Sequence, residues 1–129
     1  MDRKELLSTL WIFVLFNIIF LEFHKFLQPG FIAEIMTGVV NGTQMTQGVL
    51  LLGAIVLEIP IVMLLMSRVL KYRVNRWANI IAGAITIAIV IGNVSTNLDN
   101  IFFSTIVVVS LLLIVWYAWK WPKSSNKGE

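Results

Sequence analysis

A glutamate in the middle of an apolar run is the residue of this sequence best placed to do chemistry. Glu58 stands between Leu57 and Ile59, two residues before Pro60, inside a stretch from about Thr46 to Met66. A charged side chain at such a depth costs about 2.5–3.5 kcal/mol on insertion scales, which makes it a functional candidate by default. Pro60 removes a backbone donor, frees the carbonyl of Val56 and favours a kink. Asn17 lies at a similar depth in an earlier apolar run and could hydrogen-bond the acid. Glu58, Asn17 and Pro60 therefore form a candidate proton, ion or ligand site. A plainer role fits the same residues, that of an acid bonding a neighbouring helix.

A second constellation sits where two apolar runs end. Glu22, His24 and Lys25 close the first run, and Asn93, Asn97, Asp99 and Asn100 surround the turn between the last two. Glu22 and Lys25 are three apart and can pair on one helix face. His24 follows Asn17 by seven and shares a different face with it. The expectation is a polar funnel made of Glu22, His24, Asn93, Asn97 and Asp99. The plainer alternative is a polar network at the membrane interface. An acid and an imidazole without an activated nucleophile make a weak case for an enzyme.

Other chemistries find no residues. The sequence has no cysteine and one histidine, so thiolate sites, disulfides and a His-based metal site within one chain are excluded. Two axial histidines for a haem would require two chains. The glycines at 38, 42, 48 and 53 are too scattered for a phosphate cradle. No cofactor is expected.

The elements that must position these residues are four membrane spans. Of the 129 residues, 58% are hydrophobic and 13% charged, with a mean hydropathy of +0.86. A soluble domain carries roughly 25% charged residues. Runs of about 20 apolar residues match a hydrocarbon core of about 30 Å. They cover about 6–27, 46–66, 77–97 and 101–119, in one domain spanning 1–129. The fold class is all-α, an integral membrane four-helix bundle. The first run is too long, and lacks the small-residue cleavage site, for a removable secretory signal.

Charge placement gives the orientation. Arg3 and Lys4, then Arg68, Lys71, Arg73 and Arg76, then Lys120, Lys123 and Lys127 fall on one side of a four-span chain, against Lys25 on the other. The positive-inside rule then places both termini in the cytoplasm. The net charge of +3 reads as topology and anionic-lipid contact rather than nucleic-acid binding. Besides the bilayer, the partners expected are a second copy of the chain or a larger membrane complex.

The long outer connection begins at Pro29-Gly30. Phe31, Ile32, Ile35, Met36, Val39 and Val40 have the spacing of a short interfacial helix, and Asn41-Gly42 reads as a turn. In the third span Ala84, Ala88 and Gly92 recur at four-residue intervals, with Ala78, Ala82 and Gly83 nearby, which predicts a closely packed helix with its seam on the first three.

The segments LWIFVLFNIIF at Leu10–Phe20, Glu22 with His24, Glu58-Ile59-Pro60 and RVNRWANIIAG at Arg73–Gly83 resemble a bacterial family of small four-span membrane proteins without an assigned function. The resemblance implies the four-helix fold and a bacterial inner membrane, and it transfers no activity. Two functions stay open. One is a proton- or cation-coupled transporter or channel subunit built on Glu58. The other is a non-catalytic membrane partner that binds a lipid, a hydrophobic small molecule or a larger complex.

Overall fold

The computed structural model describes residues 2–123; Lys127, counted above among the basic residues, lies outside them. Four long helices carry the chain: α1 (Arg3–Lys25), α3 (Gln47–Val69), α4 (Tyr72–Gly92) and α5 (Leu98–Trp119). All four are long and apolar enough to cross a membrane. The chain is thus a small four-span membrane protein.

Local chemistry starts the helices where polar side chains allow. Asp2 caps α1 by accepting from the backbone N–H of Glu5, and that bond holds its carboxyl below the ordinary aspartate range. Thr46 caps α3 by accepting from Val49 N–H at 3.2 Å. Between α1 and α3 lie the short helix α2 (Phe31–Met36) and a hairpin pairing β1 (Val39–Val40) with β2 (Thr43–Gln44). The interfacial helix is therefore present but shorter than the apolar spacing predicts. Thr37 and Gly38 end it, with Gly38 at φ 80°. Asn41 and Gly42 turn the hairpin at φ 50° and 78°, the paired positive angles that two-residue hairpins favour.

Around the bundle the order is α3, α1, α5, α4: α1 packs on both α3 and α5, α4 packs on α5, and α3 meets α4. Leu7, Trp11 and Val14 of α1 meet Val107, Leu111 and Ile114 of α5 in the core, all fully buried. Both described termini and the α3–α4 turn lie at one end, the basic end. The opposite end carries α2 and the hairpin and is the lid end.

Two sequence expectations need correction. The connection expected over Ser67–Arg76 shrinks to Leu70 and Lys71, because α4 begins at Tyr72 rather than near Trp77. Hydropathy reports where lipid begins, and charged residues such as Arg73 and Arg76 continue a helix beyond it. At its other end α4 stops at Gly92, so residues 93–97 of the expected third span form the turn. The expected seam is also displaced. Ala84, Ala88 and Gly92 are exposed, and the packed face carries Asn75, Asn79, Ala82, Gly83 and Thr86. A Cβ on Gly83 would stand 2.7 Å from Val115 Cγ2. That glycine is what lets α4 approach α5 so closely.

Candidate functional site

The lid end contains the cavity of interest. The end of α1, the α2–hairpin lid, the start of α3 and the α4–α5 turn surround a cleft of about 640 Å³. Its polar wall includes Glu22, Lys25, Gln28, Glu34, Asn93 and Asn97, and its apolar wall includes Phe26, Phe31, Ile35, Val40 and Leu50. The volume falls in the range of about 300–1,000 Å³ usual for small-molecule sites, while the lining is more polar than such sites usually are and the cleft is open on one side.

Each polar group is set by a local cause. Glu22 and Lys25 are three apart on α1 and pair at 3.1 Å. The Glu34 carboxylate accepts from the backbone N–H of Asn41 at 2.6 Å, which ties α2 to the hairpin turn. Gln28 donates through Nε2 to both carboxylate oxygens of Asp99, at 3.0 Å each. His24 approaches from the same side, its Nδ1 3.3 Å from Asp99 Oδ2 and its ring against Phe103. Asn100 accepts from Ser95 N–H and from Ser104 Oγ and so shapes the α4–α5 turn.

Of the expected funnel, then, Glu22, Asn93 and Asn97 line one cleft. Asp99 and His24 stand beside it, joined to its wall through Gln28. Sequence reading missed Gln28 and Glu34. The Pro-Gly after Gln28 marked a helix stop, yet nothing in the spacing revealed that the turn folds back onto Asp99, 71 positions away.

The deep constellation does not assemble as expected. Asn17 donates its amide to Phe13 O in its own helix at 2.9 Å. Pro60 is buried, while Glu58, two residues earlier, is exposed on the opposite face of α3. Two positions are 200° apart on a helix, so a proline packed against the bundle turns this acid outward.

The buried polar network lies instead at the basic end, on residues the sequence reading passed over. Asn79 Oδ1 accepts from Trp11 Nε1 at 2.7 Å and from Ser67 Oγ at 3.1 Å. Asn79 Nδ2 donates to Asn75 O at 2.9 Å and Asn75 Oδ1 at 2.7 Å. Asn75 Nδ2 donates to Ser67 O and Leu70 O. Ser8 Oγ donates to Leu64 O, tying α1 directly to α3. Among the described residues, no buried side-chain polar atom lacks a partner. The signal available was the Asn-x-x-x-Asn spacing in α4, which stacks two amides on one face.

Arginines close that end. Arg3 Nη1 donates to Tyr117 O at 2.7 Å, and Arg76 donates to Ala118 O and Trp119 O at 3.1 and 3.2 Å. These carbonyls are at the C-terminus of α5, where orphan acceptors and the helix dipole favour a cation. Arg76 also stacks between Trp77 and Trp119.

The family model of DUF6326, a family of unknown function, matches residues 1–127. The chain belongs to that family. The match agrees with the resemblance drawn from the sequence, a small four-span family without an assigned function. No curated protein and no solved structure matches the chain.

Proposed function

We propose that this protein is a non-catalytic membrane receptor for an amphipathic small molecule or lipid, held by its polar end in the lid-end cleft. The observation that carries this reading is the cleft itself, in which Glu22, Gln28, Glu34, Asn93 and Asn97 face an aromatic and aliphatic wall. Phe26 and Phe31, ring centroids 5.6 Å apart, offer a surface for the apolar part. The lining acids outnumber the lining base, which favours a polar end with an amine or hydroxyls over an anion. His24 and Asp99 act in this reading by orienting Gln28 rather than by transferring a proton, since no nucleophile accompanies them.

The alternative, proton- or cation-coupled transport through Glu58, draws its support from the depth of that residue. It requires Glu58 to border a water-filled path. The saturated network at the basic end and the outward placement of Glu58 weigh against such a path within one chain.

Native mass spectrometry after gentle detergent extraction tests the binding reading. A copurified adduct is expected on the wild-type chain and on Glu58→Gln, and its loss is expected on Asn93→Trp, which fills the cleft. An adduct that persists in Asn93→Trp would refute the cleft as its site. A pH-dependent flux abolished by Glu58→Gln would favour the transport reading instead.

Orientation belongs to the same proposal: the basic end faces the cytoplasm of a bacterial inner membrane. The sequence has no cysteine, so single cysteines at Thr43 and Lys123 give clean labels. An impermeant maleimide should reach Thr43→Cys in intact cells and Lys123→Cys only after lysis.

A further inference from the structure

We infer that a second copy of this chain covers the outward face of α3, pairing Glu58 with its own counterpart. Glu58 is eleven residues from either end of α3, about 16 Å from each at 1.5 Å per residue. It therefore lies where lipid offers no hydrogen-bond partner. Its own chain leaves it outward: Asn17 is committed to Phe13, and the face of α3 that meets the bundle carries Pro60, Met63 and Ser67.

The surface around Glu58 has the pattern of a helix seam. Leu51, Ala54, Glu58, Ile61 and Leu65 are all exposed and alternate by three and four residues, the repeat of a left-handed helix pair. Ala54, one turn above Glu58, permits close approach. Only 11% of the most apolar stretch of α3 is buried within the chain, against 28–33% for the other three spans. This helix has the most surface left to cover.

Depth and hydrogen-bonding chemistry select the occupant. A carboxyl group that carries its proton has one O–H donor and a free acceptor, so two Glu58 side chains in that form would satisfy each other across a two-fold axis. With both copies inserted in one orientation, that axis lies along the membrane normal. Every residue then meets its counterpart at its own depth, and a lone polar group in an apolar seam fixes the register.

Oxidative cross-linking in native membranes tests this, using single cysteines in the otherwise cysteine-free chain. Leu51→Cys and Leu65→Cys should each give a disulfide-linked dimer, while Val109→Cys, exposed on α5, should not. Glu58→Gln keeps a donor and an acceptor and should preserve the Leu65→Cys product. Glu58→Leu, which removes both without hindering insertion, should reduce that product about fivefold, the yield of roughly one interhelical bond. A Leu65→Cys product no stronger than the Val109→Cys control would overturn the pairing. So would a product unaffected by Glu58→Leu. Coexpressed Leu51→Cys and Leu65→Cys chains cross-linking preferentially to each other would show antiparallel copies and overturn the shared orientation.

Discussion

The two ends of this bundle use the same residue types to opposite ends. At the basic end, Asn75 and Asn79 are fully buried and both amide nitrogens donate twice. At the lid end, Asn93 and Asn97 are exposed on the wall of a cleft, and the amide of Asn93 donates to Ile89 O in the last turn of α4. A saturated network has no capacity left for a ligand and rigidifies what it joins. Partly exposed amides around a cavity retain that capacity. On the proposed reading, stability is concentrated at one end and recognition at the other, and substitutions should separate the two.

The sharpest way to break this contrast is Asn79→Leu. It strips the acceptor from Trp11 Nε1 and Ser67 Oγ and a donor from Asn75 Oδ1. Stranding buried polar groups costs about 1–3 kcal/mol each when they find no new partner. We expect a loss of about 2–3 kcal/mol, read from denaturant or thermal unfolding in mild detergent, with ligand adducts unchanged in the surviving folded fraction. A loss below about 0.5 kcal/mol would mean that the network holds the fold no better than the exposed amides do.

A smaller effect is expected at the α4–α5 contact. In Gly83→Ala the new methyl meets the β-branched Val115, whose Cγ2 is 2.7 Å away, so the helices must part or Val115 must leave its rotamer. Overpacking of this kind costs about 1–3 kcal/mol; relief by side-chain rotation places the expectation near the lower bound. Unchanged unfolding would show that the seam at Gly83 is loose.

The smallest stability effect belongs to Asn97→Ala at the lid end. Asn97 occupies the N-cap of α5 without a side-chain capping bond, so the change should stay within about 0.5 kcal/mol, as for a surface position. It should nevertheless weaken the bound adduct, because Asn97 lines the cleft. A stability loss matching that of Asn79→Leu would erase the distinction between the two ends.

What was legible in the residues differs between elements for physical reasons. The spans stand out because about 20 residues without charge have few other uses in a protein. The Asn41-Gly42 turn stands out because few residues accept two successive positive φ angles. The lid-end cluster was legible in part, since chain ends of adjacent spans must be neighbours and Glu22, Asn93 and Asn97 came together on that ground. Glu58 misled because its type and depth were clear while its direction was not.

Sequence alone determined that this chain crosses a membrane four times, that its basic residues other than Lys25 gather at one end, and that an acid lies midway along its second span. Hydropathy and charge suffice for these, because lipid excludes polar backbone and charged side chains wherever they occur. Only the tertiary structure decided which face of each helix looks inward. In water an apolar stripe identifies the packed face, but lipid tails are as apolar as leucine, and no such stripe is required. That is why Gly83 rather than Ala84 forms the seam, why Asn79 rather than Asn17 holds a buried network, and why Glu58 faces out.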